Sequence, residues 1–152
     1  MDTIKKILAA CPFDYELISH PYPIKTVGDG MKYFKIEAGQ TAPTLILKAD
    51  DIFYALIFSG TQHRLDFPAI ASVLKCNKLT LAKPAEVEKI TGFTIGSVPM
   101  IGHSIPCILD NRLLNYSFVF GGTGNPLVTL KISPQALSQL NNVVAYITSE
   151  SS

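Results

Sequence analysis

The chain has 152 residues, of which 47% are hydrophobic and 16% are charged. This composition excludes an intrinsically disordered chain, which combines low hydrophobicity with high net charge, and it disfavours a coiled coil. The net charge of +1 is low for a protein that binds a long duplex through its phosphates, but it is compatible with a small contact at one end of an RNA.

The sequence also bears on location and cross-links. Apolar runs such as 54–58 are far shorter than the roughly 20 residues of a membrane span, and the first residues lack the features of a secretory signal. The cysteines Cys11, Cys76 and Cys107 are an odd, widely spaced set, which argues against a disulfide framework and fits a reducing compartment. We therefore expect one cytoplasmic domain over 1–152, with no membrane contact and a frayed tail at 148–152.

The first half of the chain predicts two helices and three strands. Apolar residues at helical spacing predict a helix over 3–11 and, weakened by two glycines, another over 26–36. Alternation predicts a strand at 14–20. The clearest strands are 44–49 and 52–59, which are rich in Ile, Leu, Phe and Tyr and are joined by a short hairpin turn.

The second half continues the mixture of helices and strands. Asp66 is a typical N-cap for a helix over 67–74, and Pro84 and Gly92 bracket a helix over 84–91. The remaining predicted elements are strands at 78–82, 105–109, 114–120 and 127–132, with a turn at 110–111, and a last helix that begins at Ser133 and has apolar residues as far as Ile147. Because several strands are joined too briefly for helical crossovers, an α+β or mixed α/β sheet is favoured over a doubly wound parallel one.

The glycine-rich loop 121–126 raises the question of a nucleotide site. A dinucleotide site needs G-x-G-x-x-G between a strand and a helix, but a strand follows this loop, and the Gly-Lys-Ser/Thr of a Walker-type loop is absent. The loop is therefore either a tight connection between strands or a segment whose backbone N–H groups approach a ligand.

Metal and nucleophile motifs are also missing. His20, His63 and His103 are far apart in the sequence, and Cys107 would lie about 13 Å from His103 in an extended strand, too far for one zinc ion. The histidines are therefore predicted to lie on the surface or in loops. Neither a G-x-S-x-G elbow nor a recognisable cysteine nucleophile motif occurs.

Two features leave both a functional and an ordinary interpretation open. Alternation along 44–49 places Lys48 on the same strand face as Thr44 and Ile46. Lys48 is either a strand-end lysine with its ammonium in water, or a cation that points into a pocket and holds a carbonyl or phosphate oxygen. The apolar loop 92–102 is either the wall of a pocket or a loop packed on its own core.

Five segments occur in a recognisable order. Residues 43–49, Pro-Thr-Leu-Ile-Leu-Lys-Ala, are similar to a K-T-L-v-l-K-a strand, and residues 59–66 to a p-G-d-x-r-l-d turn. Residues 81–92 resemble l-A-s-p-e-E-v-e-e-l-T-G, residues 96–102 resemble G-x-V-x-P-f-G, and residues 121–137 resemble a glycine loop, a strand and an S-P-x-x-L helix. Together these patterns resemble the YbaK/prolyl-tRNA synthetase associated domain family of trans-editing aminoacyl-tRNA deacylases.

The resemblance implies a fold, an activity and a site. The fold would be mixed α/β, with a curved central sheet, flanking helices and a pocket at one side. The activity would be hydrolysis of the ester between a wrong amino acid and the 3′ end of a tRNA of the tRNA(Pro) type, without metal, cofactor or covalent nucleophile. Lys48 matches the family's essential lysine and would be catalytic. The implied substrate-binding residues are Thr44, Gly96, Ser97, Val98, Pro99, Gly121, Gly122 and Asn125.

Two departures from the family pattern bear on the shape of the pocket. Met100 stands where the family loop has proline, although Pro99 lies one residue earlier, and Thr123 and Asn125 stand where some subfamilies have a histidine. The expected partners are the acceptor end of a charged tRNA and, as a second candidate, an aminoacyl-tRNA synthetase. The alternatives are a non-catalytic module that binds a tRNA end or a small molecule, and a hydrolase of another activated ester.

Overall fold

The computed structural model describes residues 2–61 and 65–148 of the chain. Within these ranges the helices are α1 (Asp2–Ala9), α2 (Val27–Phe34), α3 (Phe67–Leu74), α4 (Pro84–Thr91) and α5 (Pro134–Leu140). The strands are β1 (Tyr15–Ser19), β2 (Thr44–Ala49), β3 (Ile52–Ile57), β4 (Leu79–Leu81), β5 (Cys107–Asp110), β6 (Val119–Gly122), β7 (Val128–Ile132) and β8 (Val143–Ile147). Short 3-10 helices cover Ala38–Gln40 and Asn111–Asn115.

The larger sheet has five strands in the order β4-β2-β3-β5-β8. Strands β2 and β3 form the predicted antiparallel hairpin, with Thr44 opposite Ile57 and Lys48 opposite Phe53. The pairs β3–β5 and β5–β8 are parallel. The hairpin turn places Asp50 in the left-handed region, with φ of 54°, and the Asp50 carboxylate accepts hydrogen bonds from the backbone N–H groups of Asn77 and Lys78. These bonds fix the turn beside the start of β4.

The smaller sheet is antiparallel and has three strands in the order β1-β7-β6. The two sheets are linked just before β2, where the backbone N–H of Ala42 donates to the carbonyl oxygen of Phe120 at 2.8 Å. A bridge between Thr41 and Phe120 reinforces this link. The beginning of β2 is therefore held next to β6.

The core is divided by the larger sheet. Leu47 and Leu56 lie on one face of the sheet, where they pack in a cluster with Ile70 of α3. The alternate residues Ile46 and Ala55 lie on the other face, in a cluster that includes α4. A third and largest cluster packs α1, α5 and the smaller sheet against β5. Burial of apolar side chains on both faces stabilises the sheet and fixes the register of its strands.

The predicted fold class, mixed α/β with flanking helices, is confirmed. The strands are divided between two sheets, and this changes one local prediction. The prediction of a strand over 114–120, joined by a turn to the strand over 105–109, is wrong. Residues Asn111–Asn115 form a 3-10 helix, and the next strand, β6, belongs to the smaller sheet. The Asp110 carboxylate caps this helix by accepting the backbone N–H of Arg112 at 3.0 Å, and Leu113 is fully buried.

The prediction that the last helix has apolar residues as far as Ile147 is also wrong. Helix α5 ends at Leu140, and the side-chain amide of Asn141 donates to the carbonyl oxygens of Leu137 and Met100, both at 3.0 Å. The following residues form β8, which extends the larger sheet beside β5. Their sequence, Val-Val-Ala-Tyr-Ile, is rich in β-branched and aromatic side chains that suit a partly buried strand.

Some predictions fall on residues 1, 62–64 and 149–152, which lie outside the described residues. These include His63, the middle of the 59–66 turn and most of the predicted frayed tail. His20 and His103 are described, and both lie in loops, as one of the two predicted alternatives has it. Neither lies on the surface, because only 6% and 3% of their surface is exposed. In the described ranges, no helix has the length and hydrophobicity needed to cross a membrane.

Candidate functional site

A cavity of about 470 Å³ lies where the two sheets meet. Its walls are α2 with the segment before it, the start of β2, the loop 94–98, and β6 with its following loop. The structure brings seven of the predicted site residues to this cavity: Thr44, Gly96, Ser97, Val98, Gly121, Gly122 and Asn125. The other two, Lys48 and Pro99, are not among the lining residues.

The loop 92–102 combines the two arrangements that the sequence left open, the wall of a pocket and a loop packed on the core. Residues 94–98 line the cavity, while Met100 and Ile101 are fully buried behind them. The backbone N–H of Met100 donates to the carbonyl oxygen of Gly122 at 3.1 Å, which ties this wall to β6.

The glycines of β6 permit the two walls to approach closely. A Cβ atom on Gly121 would collide with the sulfur of Met100, and a Cβ atom on Gly122 would lie 3.0 Å from the carbonyl oxygen of Val98. The Cα atom of Pro99 would lie 3.8 Å from the same Cβ atom. The glycines are therefore required for packing between β6 and the 98–100 segment, and they set the width of the cavity.

Most hydroxyl groups at the cavity already have hydrogen-bond partners. The Thr123 hydroxyl donates to the carbonyl oxygen of Val128 at 2.9 Å, and the Thr129 hydroxyl lies 3.0 Å from Nε2 of His20. Thr44 differs, because its Oγ1 is buried and has no partner in the described part of the chain. Because an unpaired buried hydroxyl costs free energy, this group is the candidate in the lining for a hydrogen bond that a ligand would complete.

The described lining contains one charged side chain, that of Lys25. Lys25 is exposed and therefore lies at the rim, just before the first turn of α2. Sequence reasoning missed it because a single lysine in a loop belongs to no motif. Thr26 and Asp29 gave a weak signal, because their spacing indicates that a helix begins immediately after Lys25.

The ammonium of Lys48 does not lie in the cavity, although the functional interpretation of the sequence expected it there. Its ammonium lies 2.9 Å from Oε2 of Glu86 on α4, in a separate hollow that also includes Lys78 and Lys83. The hydrogen bond to Glu86 raises the pKa of Lys48, and the backbone N–H of Lys83 together with Lys48 lowers the pKa of Glu86. The side chains of the pair remain 34% and 27% exposed, so solvent screens their attraction.

The geometry of β2 explains this separation. Thr44 and Lys48 share a face of the strand but are about 13 Å apart along it, because a strand rises about 3.3 Å per residue. Between them on that face lies Ile46, which is buried in a cluster with Val98. In the family pattern K-T-L-v-l-K-a, the first lysine corresponds to Pro43, which lines the cavity, and the second corresponds to Lys48, which does not.

Among the described residues, His103 also has a buried side-chain atom without a hydrogen-bond partner. Its Nδ1 accepts the backbone N–H of Ile105 at 3.3 Å, which leaves the hydrogen on Nε2, and that atom is buried and unpartnered in the described structure. Burial lowers the pKa of His103 to about 4, so the ring is neutral at pH 7. Within the described ranges, no three His, Cys, Asp or Glu side chains are grouped as a metal site would require.

Comparison with known proteins identifies the family. The model of the aminoacyl-tRNA editing domain matches residues 21–140, and the chain belongs to this family. Proline–tRNA ligases are similar in part: that of Caldicellulosiruptor saccharolyticus is 31% identical over 90 residues, which are 59% of this chain and 16% of the ligase. That of Geobacter metallireducens is 25% identical over 140 residues, 88% of this chain and 24% of the ligase. The chain thus spans between a sixth and a quarter of the length of these relatives.

Two solved structures share the fold along almost the whole chain. A protein described as a candidate trans-editing enzyme for prolyl-tRNA synthetase has a TM-score of 0.84 and 26% identity, with 98% of this chain and 96% of that protein covered. The hypothetical protein APE2540 has a TM-score of 0.87 and 24% identity, with 97% and 99% covered. The family expected from the sequence motifs is therefore confirmed.

Proposed function

We propose that this chain is an aminoacyl-tRNA deacylase, which hydrolyses the ester of a mischarged tRNA of the tRNA(Pro) type. The observation that carries the proposal is the single cavity at which seven motif residues from three separate segments meet. Membership of the editing-domain family and the similarity to a candidate trans-editing enzyme support the same activity. The relatives among proline–tRNA ligases support the choice of tRNA.

The cavity suits an aminoacyl group in size and polarity. Its volume of about 470 Å³ lies in the range of small-molecule sites, roughly 300–1,000 Å³. Apolar side chains such as Val27, Phe34 and Val98 form much of the lining, and a few hydroxyl and amide groups are placed among them. Such a lining can exclude bulk water from an ester while polar groups orient it.

The chemistry we propose uses the reactivity of the substrate itself. In the described ranges no Asp, Glu, His or Cys lines the cavity, so the lining hydroxyls have no side-chain base to activate them, and the step we propose uses no covalent nucleophile, metal ion or cofactor. The oxygen of a water molecule bonds to the ester carbonyl carbon, with a ribose hydroxyl of the substrate as the candidate base. One proton of the water passes to this hydroxyl, which passes its own proton to the neighbouring ester oxygen of the ribose. The bond between that oxygen and the carbonyl carbon then breaks, which releases the free amino acid and leaves a ribose hydroxyl on the tRNA. Backbone N–H groups of the glycine segments would hold the oxyanion.

Within this proposal, Thr44 provides a hydrogen bond that only the substrate completes. Its buried Oγ1 has no described partner in the protein, and it stands at the start of β2 where the strand enters the cavity. The assignment of Lys48 as catalytic remains a prediction from the family resemblance. Its ion pair with Glu86, outside the lining, gives that assignment no geometric support.

A blocked cavity tests the proposal. Ser97 lies in the lining, and Ser97→Trp would fill the space that the aminoacyl group needs. Ser72→Trp on α3 is the matched control, because it adds the same side chain at an exposed position that does not line the cavity. With tRNAs charged with Ala, Cys or Ser, we expect wild type and Ser72→Trp to release free amino acid and Ser97→Trp to release little.

Three other results would contradict the cavity as the site or favour one of the alternative functions. Equal rates for both tryptophan variants would contradict the cavity as the site. Binding of charged tRNA by wild type without release would favour the non-catalytic binding module. Release from a simple activated ester but from none of a panel of mischarged tRNAs would favour the third function, a hydrolase of another substrate.

A further inference from the structure

We propose that Lys25 binds the phosphate next to the terminal nucleoside of the tRNA, and thereby positions the 3′ end over the cavity. This inference rests on the proposed deacylase function. The contact concerns the nucleic acid and not the ester, so Lys25 is a positioning residue and takes no part in bond breaking.

The first support is the distribution of charge. The lining of the cavity contains Lys25 as its one cation and no carboxylate, within the described parts of the chain. The substrate is polyanionic, and because the net charge of the whole protein is only +1, the overall charge adds little to the attraction that local cations exert. A cation at the rim of the cavity is therefore the complementary group that this substrate requires.

The second support is that the backbone of Lys25 is fixed while its ammonium is free. The Lys25 and Thr26 N–H groups both donate to the Asp29 carboxylate at 3.2 Å, and Thr26 caps α2 in return. On the other side, the N–H of Ile24 donates to the carbonyl oxygen of Pro126, which anchors the segment to the glycine loop. The described structure shows no ion pair for the Lys25 ammonium.

Asp29 is the charged group that acts on Lys25 at short range. Its two bonds to backbone N–H groups, with a smaller contribution from the Lys25 charge, lower the pKa of Asp29, so it is ionised at neutral pH. Because the Asp29 carboxylate is already used to cap α2, it holds the backbone of Lys25 and leaves the ammonium available to a phosphate.

The third support is the order of groups in the substrate. In an aminoacyl-tRNA, the ester and the nearest phosphate lie on opposite sides of the terminal nucleoside. If the ester is bound in the interior of the cavity near Thr44, that phosphate must lie toward the opening. Lys25 is exposed and lies at the opening, whereas Thr44 Oγ1 is buried, which matches this order.

The test separates the phosphate contact from the ester chemistry. Lys25→Ala is compared with wild type on mischarged tRNA and on an aminoacyl ester of adenosine, which has no phosphate. We expect kcat/KM on the tRNA to fall about 10-fold, through KM, as for loss of one charge-assisted hydrogen bond, and kcat/KM on the nucleoside ester to stay unchanged. Lys25→Arg should restore the activity on tRNA.

Binding of uncharged tRNA gives a readout that does not depend on hydrolysis. Loss of one phosphate contact should reduce the slope of log affinity against log salt concentration by about 0.7 for a single strand. Lys32→Ala is the matched control: this exposed lysine is on α2, but it does not line the cavity. It should leave the slope and KM as in wild type.

Several results would overturn the inference. An unchanged slope and KM for Lys25→Ala would show that no phosphate contact exists, and an equal loss on both substrates would place Lys25 in the ester chemistry or in the fold. The same loss for Lys32→Ala would indicate a general charge effect. If wild type binds tRNA with a slope that depends on Lys25 but hydrolyses nothing, the inference stands and the deacylase proposal fails.

Discussion

The ammonium of Lys48 and the carboxylate of Glu86 form an ion pair 2.9 Å long, outside the cavity that contains the other site residues. This pair joins β2 to α4. The resemblance to the editing family and the geometry therefore give opposite predictions for Lys48→Ala. The resemblance predicts that release of amino acid is abolished with little change in the thermal midpoint.

From the geometry we expect Lys48→Ala to keep release from mischarged tRNA within a few-fold of wild type. Lys48 is not among the lining residues, and Ile46 lies between it and Thr44 on the same face of β2, so removal of the ammonium leaves the lining intact. Single-turnover rates of release from mischarged tRNA decide between the two predictions. Rates reduced by several orders of magnitude would show that Lys48 leaves Glu86 during the reaction. Glu86→Gln, which frees the ammonium without removing it, should then be at least as active as wild type.

Thr44→Val should separate stability from function. Valine has nearly the same shape as threonine, and the hydroxyl it removes has no described partner, so the thermal midpoint should stay the same or rise. The value of kcat/KM for release should fall roughly 10-fold, because the substrate loses a hydrogen bond in a site shielded from water. Both quantities are measured on the same preparation.

Thr129→Val is the matched control for Thr44→Val. The Thr129 hydroxyl also lies at the cavity, but it is bonded to Nε2 of His20. Its removal leaves a buried histidine nitrogen unpaired, so the thermal midpoint should fall. If Thr44→Val lowered the midpoint as much as Thr129→Val and left release unchanged, the Thr44 hydroxyl would have a structural role instead.

The sequence predicted those elements whose limits are set by local chemistry. Helices α3 and α4 have the predicted bounds because Asp66 caps the first by accepting the N–H of Ala69, and because Pro84 and Gly92 bracket the second. Strand β8 was missed because the apolar residues of 140–147 fit both a helical and an alternating spacing. Its conformation is decided by the vacant edge of β5, which the local sequence does not reveal.

The sequence predicted the site residues that belong to motifs. It did not predict Lys25, which belongs to no motif and lies at the cavity only because of the tertiary structure. The alternation along β2 correctly placed Thr44 and Lys48 on one face, but it did not reveal which end of the strand reaches the cavity. Lys25 carries no motif, and it reaches the lining through the tertiary bond between Ile24 and Pro126. These facts depend on how the two sheets are joined.

Gly121 and Met100 should be energetically coupled. A methyl group at Gly121 would overlap the Met100 side chain, so Gly121→Ala should cost about 1–3 kcal/mol of stability, as for other overpacked cores. Met100→Ala alone should cost about 2–5 kcal/mol because it leaves a void in a fully buried position. The double variant should be more stable than the sum of the two losses predicts, because the new methyl group occupies part of that void.

Denaturant unfolding of the four proteins measures this coupling. An interaction free energy of zero would show that β6 and the 98–100 segment move apart to accept the methyl group. In that case the contact between Gly121 and Met100 would not set the width of the cavity. Having Met100 in place of the family proline would then not alter the substrate range by this route.

His103 should make the protein less stable in mild acid. Burial holds the pKa of its ring at about 4 in the folded protein, against 6.5 for an exposed histidine, so between these pH values the unfolded chain binds a proton that the folded chain does not. The free energy of unfolding therefore falls as the pH is lowered from 6.5 to 4, by on the order of 3 kcal/mol from this group. In His103→Leu this part of the pH dependence should disappear, whatever the stability of the variant at pH 7. Unfolding measured from pH 7 to 4.5 gives the two slopes, and parallel slopes would mean that the folded protein can accommodate the charged ring.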